Sequence, residues 1–191
     1  MRAPKKLRAL ARHLPLDQGP WLELACGAGQ HLVHLAPGSS GLDRDPAQVA
    51  RLREAGLSAE VRDLDRAGWS EGLSTPRRAL AVDLLMHLRE PEACLSELGR
   101  LLPRGAPLAL CEWAFPPAGL RRSLALRLLP GAREVWEHPE HLRRYERDEI
   151  GELLVRSGFR VERDYVHGLP TPLDRLMGWI WPARTWIGRV R

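Results

Sequence analysis

Asparagine is missing from this chain altogether, and lysine nearly so: Lys5 and Lys6 are the only two, although lysine and arginine together number 29. Cationic charge is therefore carried by arginine, a planar donor fork that keeps its proton at any physiological pH. Cysteine is equally sparse. Cys26, Cys94 and Cys111 are an odd set without paired spacing, which argues against a disulfide framework and predicts reduced thiols in a cytoplasmic protein. No apolar run approaches the ~20 residues that cross a bilayer. Arg2, Lys5, Lys6, Arg8 and Arg12 interrupt the N-terminal apolar residues, leaving no signal-peptide core. A metal site lacks its ligands too, because His138 and His141 are close in sequence but no cysteine, aspartate or third histidine joins them at suitable spacing.

What is present points to an α/β domain. At 191 residues and 44% hydrophobic, the chain reads most simply as one domain over residues 1–191. The net charge of +5 suits an acidic substrate or a nucleic acid, yet no basic tract accompanies it, and a solvated surface explains it as well.

The most informative stretch runs from Trp21 to Leu32, an apolar strand that ends in a small-residue turn and opens into a helix. Gly27 and Gly29 allow close backbone approach to a ligand, and a helix start would aim free N–H groups at it. Glu23 decides between nucleotide-like ligands. A carboxylate beside the turn would repel a dinucleotide pyrophosphate and attract a cationic amino-acid group, which favours S-adenosylmethionine over NAD. The dinucleotide fingerprint also fails, since its third glycine position falls on Leu32.

Further along, strands and helices alternate. Helices are expected over Ala3–Leu14, His31–Leu35, Pro46–Ala55 (with Asp45 as N-cap) and Pro91–Leu102; strands are expected over Ser40–Leu42, Ala59–Arg62, Ala79–Val82 and Ala106–Glu112. Such alternation implies a parallel sheet covered on both faces, with ligands at the carboxyl ends of its strands. Those ends carry Glu23, Asp43, Asp63, Asp83 and Glu112 in turn. Asp43 follows Glu23 by 20 residues, near the distance at which a second-strand carboxylate reaches ribose hydroxyls.

In combination these features resemble the class I, Rossmann-like S-adenosylmethionine-dependent methyltransferases, and specifically their type 11 small-molecule branch. Glu23, Ala25, Gly27 and Gly29 resemble motif I, an acid followed by G-x-G-x-G, with Ala25 in place of the first glycine; Cys26 lies within it. Gly41 to Pro46 resembles the second-strand ending, which implies Asp43 as ribose ligand with Arg44 beside it. Asp63 and Leu64 resemble the adenine-binding pair, and Asp83 to Leu88 the segment after the fourth strand, with Asp83 toward the methionine part or the substrate. Arg100 to Leu108 and the late helix ending in Ser157-Gly158-Phe159 extend the resemblance to about Val166. It implies a three-layer α-β-α sandwich around a mostly parallel sheet of six to seven strands, S-adenosylmethionine as cofactor, and methyl transfer.

Several roles stay open at this level. His87 reads as a general base near the methyl group or equally as a structural cap; His138, His141, Glu112 and Tyr145 are further base candidates. Residues 113–145 fit no sheet pattern and are expected to form a substrate cover, with Arg121, Arg122, Arg127 and Trp136 in it. Residues 168–191 form an extension in which Leu173–Trp181 is helix-like and Thr185–Val190 is a candidate seventh strand. Its Trp179, Trp181 and Trp186 suit a homodimer contact, packing on the cover, or a lipid-facing element. Without an Asn/Asp-Pro-Pro-Tyr/Phe segment after the fourth strand, a small-molecule methyl acceptor is favoured; an RNA substrate and a non-catalytic cofactor-binding module are the alternatives.

Overall fold

The computed structural model describes residues 3–129, 131–166 and 182–191. Short apolar runs become β1 (Leu22–Leu24), β2 (Ser40–Asp43), β3 (Ser58–Val61), β4 (Ala79–Val82) and β5 (Pro107–Phe115). They are joined by α1 (Lys5–Leu10) ahead of β1, α2 (Pro46–Glu54) and α3 (Pro91–Leu101). α4 (Leu120–Leu128) and α5 (Ala132–Glu137) precede a two-residue β6 (Tyr145–Glu146), α6 (Arg147–Arg156), β7 (Phe159–Val166) and β8 (Ala183–Val190). The sheet order is β3-β2-β1-β4-β5-β8-β7, with β6 beside the end of β5. β8 runs antiparallel between β5 and β7, and the pairs among β1 to β5 are parallel.

Side-chain alternation along the central strands explains the layers. Ala79 and Ala81 of β4 and Leu108 and Leu110 of β5 face a core completed by Leu95 and Leu98 of α3 and Ile150 and Leu153 of α6. The residues between them, Leu80 and Ala109, face Leu7 and Leu10 of α1 together with Trp21. A period of two thus sends successive residues to helices on opposite faces, the three-layer arrangement expected of a buried parallel sheet.

Local chemistry sets the element ends. Asp45 Oδ1 accepts the Ala47 N–H at 2.8 Å, capping α2 ahead of Pro46. Glu146 and Glu149 form a reciprocal capping box at the start of α6. Gly41 admits the motif turn beneath it, since a Cβ there would lie 2.5 Å from the Cys26 sulfur.

Four expectations are corrected. The expected helix over His31–Leu35 is a single 3-10 turn, Leu32–His34. Only seven residues separate Gly29 from Pro37, too few to offset the cost of nucleating an α-helix. The leading helix is shorter than Ala3–Leu14. β5 continues through Trp113 to Phe115, stopping at Pro116-Pro117, so the sheet reaches into the segment expected to lie outside it, and β6 pairs there with Ala114 and Phe115. Finally, Trp186 is 2% exposed in the core, which removes it from any dimer or lipid surface. Thr185–Val190 is indeed strand, within the longer β8; Leu173–Trp181, with Trp179 and Trp181, lies outside the described residues.

Candidate active site

At the carboxyl edge of the parallel strands lies a cavity of about 230 Å³. Ala25 closes it from the end of β1, Asp43 and Arg44 from β2, and Arg62 to Asp65 from β3. Leu84, His87 and Leu88 line it after β4, and Glu140 reaches it from the segment between α5 and β6. Of the residues singled out in the sequence, the structure brings Ala25, Asp43, Arg44, Asp63, Leu64 and His87 to one wall. Glu23, Cys26, Gly27, Gly29 and Asp83 do not line it.

Asp43 ties the wall together. Its Oδ2 accepts the Gly27 N–H at 2.7 Å and its Oδ1 the Asp45 N–H at 2.9 Å. Each carboxylate oxygen carries two lone pairs, so both keep acceptor capacity toward the cavity. Asp63 Oδ1 accepts the Asp65 N–H at 3.1 Å, and Arg66 stands 3.4 Å from its other oxygen. Asp65, absent from the sequence reading as a ligand, accepts the Arg89 and Glu90 amides at 2.7 and 3.3 Å and so fixes the entry to α3.

The turn itself is carried on backbone conformation. Ala25 adopts φ +52°, the left-handed region that glycine would take at no steric cost, and Asp83 adopts φ +53° at the end of β4. Gly29 has φ +74°, and a Cβ on it would lie 2.4 Å from a Leu52 methyl, so its smallness serves α2 packing. Cys26 is buried against Gly41 among Val49, Leu52 and Ala59; burial pushes its thiol up to about 12, which leaves it inert. Glu23 is 1% exposed, with Oε1 3.1 Å from His31 Nδ1. Its carboxyl is raised above the usual range by burial, against the opposing effect of His31. Glu23 thus supports the turn from beneath, with His31 as its buried partner.

Beyond Ala25 and Leu84, Lys6 of α1 bonds Asp83 through its ammonium. Below lies Glu112, fully buried, whose Oε1 accepts the Leu84 and Leu85 amides at 2.7 and 2.8 Å. Burial, then the Asp83 charge, pushes its carboxyl up to about 8. Tyr145 is also turned inward, donating to the Leu85 carbonyl at 3.4 Å. Neither inward-facing group lines the cavity.

Three imidazoles gather at the mouth. His87 and His141 meet edge to face with centroids 4.9 Å apart, and His138 stacks on His141 at 4.5 Å. His141 Nδ1 lies 2.7 Å from the Val135 carbonyl. A carbonyl only accepts, so Nδ1 carries the hydrogen and the neutral ring keeps its lone pair on Nε2. Burial holds the His141 pKa below the usual histidine value. Among the described residues no group of His, Cys, Asp or Glu is arranged to hold a metal ion.

Comparison with known proteins follows the same lines. The profile of a family described as the methyltransferase domain matches residues 2–163. No curated protein sequence matches the chain. Among solved structures, an S-adenosylmethionine-dependent methyltransferase from Mesorhizobium loti is similar, with TM-score 0.68 and 19% identity over 98% of both chains. So is a chain of the Haloferax volcanii complex with the Trm112 methyltransferase activator, at TM-score 0.73 and 16% identity over 99% of this chain and 90% of that one. The [4+2]-cyclase SpnF is similar as well, at TM-score 0.68 and 20% identity over 97% and 80%. The same frame therefore serves different chemistries, and these likenesses establish the fold alone.

Proposed function

We propose, from the premise that the chain belongs to the methyltransferase-domain family and takes its methyl group from S-adenosylmethionine, that its acceptor is a small molecule held between the cavity and residues 113–145. The observation that carries this reading is the charge and closure of the cavity mouth. Arg44 and Arg62 are outnumbered there by Asp43, Asp63, Asp65 and Glu140, a balance unsuited to a phosphate backbone. The cover is also tied down: the Leu142 N–H donates to the Met86 carbonyl at 2.8 Å, and Arg143 Nη2 to the Arg89 carbonyl at 2.7 Å.

The residues fit the cofactor. Asp43, with a lone pair to spare on each oxygen, suits two vicinal ribose hydroxyls; Asp63 and the Leu64 backbone suit the adenine edge; Ala25 at the start of the turn and Arg44 border the same space. When bound, S-adenosylmethionine supplies an electrophilic methyl carbon on a sulfonium. Little else is needed beyond placement, because an aligned nucleophile held out of water gains an effective concentration on the order of 10⁵ M or more. His87, in the wall beside neutral His141, takes the acceptor's proton where the nucleophile carries one, a contribution of typically about 10²-fold to 10⁴-fold.

Methyl-labelled cofactor incubated separately with an ultrafiltered metabolite pool and with total RNA tests the reading. Label is expected in the small-molecule fraction, and Asp43→Ala should abolish it together with calorimetric cofactor binding. Label confined to RNA would overturn the acceptor class. Full cofactor binding with no label in either fraction would favour a non-catalytic module, and unchanged affinity in Asp43→Ala would remove the ribose assignment.

A further inference from the structure

At the opposite pole of the sheet, where β1, β4 and β5 begin, a second cavity of about 770 Å³ opens among the loops that enter those strands. Parallel α/β sheets bind their ligands at the other end, so the main activity leaves this cavity unused. Its charge is one-sided. Arg77, Arg78, Arg104 and Arg189 line it, and no carboxylate does.

Two of these arginines build the frame. Arg78 donates to the Pro15 carbonyl at 3.1 Å and lies over the Trp21 ring, 5.7 Å from its centroid. Arg189 bonds Glu162 at 2.8 Å and the Gly105 carbonyl at 2.9 Å. The other two, Arg77 and Arg104, make no hydrogen bond or ion pair among the described residues, and both are exposed. Leu14, Pro15 and Pro107 add an apolar wall, and Thr75 a hydroxyl.

We infer that this cavity is a binding site for a small phosphorylated ligand, with a pyrophosphate-class anion between Arg77 and Arg104 and its organic part against the apolar wall. Guanidinium forks match phosphate oxygens in pairs and give charge-assisted bonds about twice as strong as neutral ones. With no carboxylate in the lining, nothing in the cavity competes for them. Arg78, held still by the Pro15 carbonyl and the Trp21 ring, adds to the positive potential, whereas Arg189 is offset by Glu162 and serves the frame. A neutral ligand would leave several donors unmatched.

The test is isothermal titration of the intact chain with sodium pyrophosphate and with ADP, against sodium sulfate at matched ionic strength. Pyrophosphate and ADP are expected to bind and sulfate to bind at least tenfold more weakly. Arg77→Gln and Arg104→Gln should each weaken both ligands roughly tenfold, and the double variant should lose them. S-adenosylmethionine affinity in the double variant should equal that of the parent, which separates this site from the catalytic one. Sulfate binding as tightly as pyrophosphate, or unchanged binding in the double variant, would overturn the inference. So would a single-stranded RNA that loses affinity in the double variant while pyrophosphate does not, since the patch would then be a nucleic-acid surface.

Discussion

Ala25 and Asp83 sit at the carboxyl ends of neighbouring strands, and both hold left-handed backbone. For Asp83 the short polar side chain tolerates it; for Ala25 the Cβ costs about 1 kcal/mol, and it is exposed, so no packing compensates. Ala25→Gly should therefore stabilise the fold by up to about 1 kcal/mol, less what glycine adds to unfolded-chain freedom. A urea midpoint that falls instead would show that the methyl packs against something. Glu112 carries a second residue-scale consequence. Its folded pKa near 8 exceeds its unfolded value near 4.5, so between those limits the folded state binds the extra proton. The associated stability is complete below the unfolded pKa and is lost as pH rises through the folded one, at about 1.4 kcal/mol per pH unit within the window at most. Glu112→Gln keeps an acceptor for the Leu84 and Leu85 amides and removes the titration. Melting temperatures from pH 5 to 9 should fall less steeply in the variant, and parallel curves would mean that Glu112 is charged throughout.

At the scale of elements, the 113–145 segment is built around Arg122 of α4. Its Nη2 bonds Glu146 at the start of α6, its Nε donates to the Pro116 carbonyl at 2.9 Å, and its guanidinium lies 4.9 Å from the Trp136 ring centroid. These contacts make Arg122 a staple between α4, α5 and β6, where the sequence suggested a basic lining for a substrate. Arg122→Ala should cost about 1–3 kcal/mol and speed proteolysis between Pro116 and Glu146. Cofactor affinity should hold, because none of these partners lines the cavity; a tenfold loss in calorimetry would show that the cover shapes the cofactor wall. The same segment shows which elements were legible. Ala79–Val82 and the acids after each strand stand out because apolar runs ending in a carboxylate leave a strong local pattern; Asp43 and Asp63 are legible that way, whereas Leu64 and His87 rest on the family resemblance, and all four line the cavity. His31–Leu35 read as helix because its spacing is helical, yet Glu23 recruits His31 and Pro37 cuts the run short. β5 was stopped too early at Glu112, since Trp113 and Phe115 alternate with Ala114 as a strand does but resemble a cover in composition.

For the molecule as a whole, the informative contact joins residues 77 positions apart: Lys6 of α1 bonds Asp83 beside the cavity. No local pattern could reveal it, although one signal existed, since in a chain that uses arginine nearly everywhere Lys5 and Lys6 are the only compact, flexible ammonium groups. Glu140, which reaches the same cavity from the far side of the insertion, was equally hidden. The cavity of about 230 Å³ is smaller than the ~300 Å³ at which ligand pockets usually begin, and its lining ends at Ala25 and Leu84, where Lys6 sits on Asp83. An ammonium group therefore already satisfies the carboxylate that the motif resemblance assigns to the methionine part of the cofactor or to the substrate. Replacing Lys6 by methionine keeps most of the apolar stem and frees Asp83 for a cationic ligand. The expected result is tighter S-adenosylmethionine binding by up to about fivefold, the equivalent of the ~1 kcal/mol that a part-exposed ion pair contributes. S-adenosylhomocysteine carries the same ammonium and should gain equally, whereas adenosine, which lacks it, should not change. Weaker binding of both amino-acid-bearing ligands in Lys6→Met would reverse the assignment, making Lys6 a partner of their carboxylate and α1 part of the cofactor site.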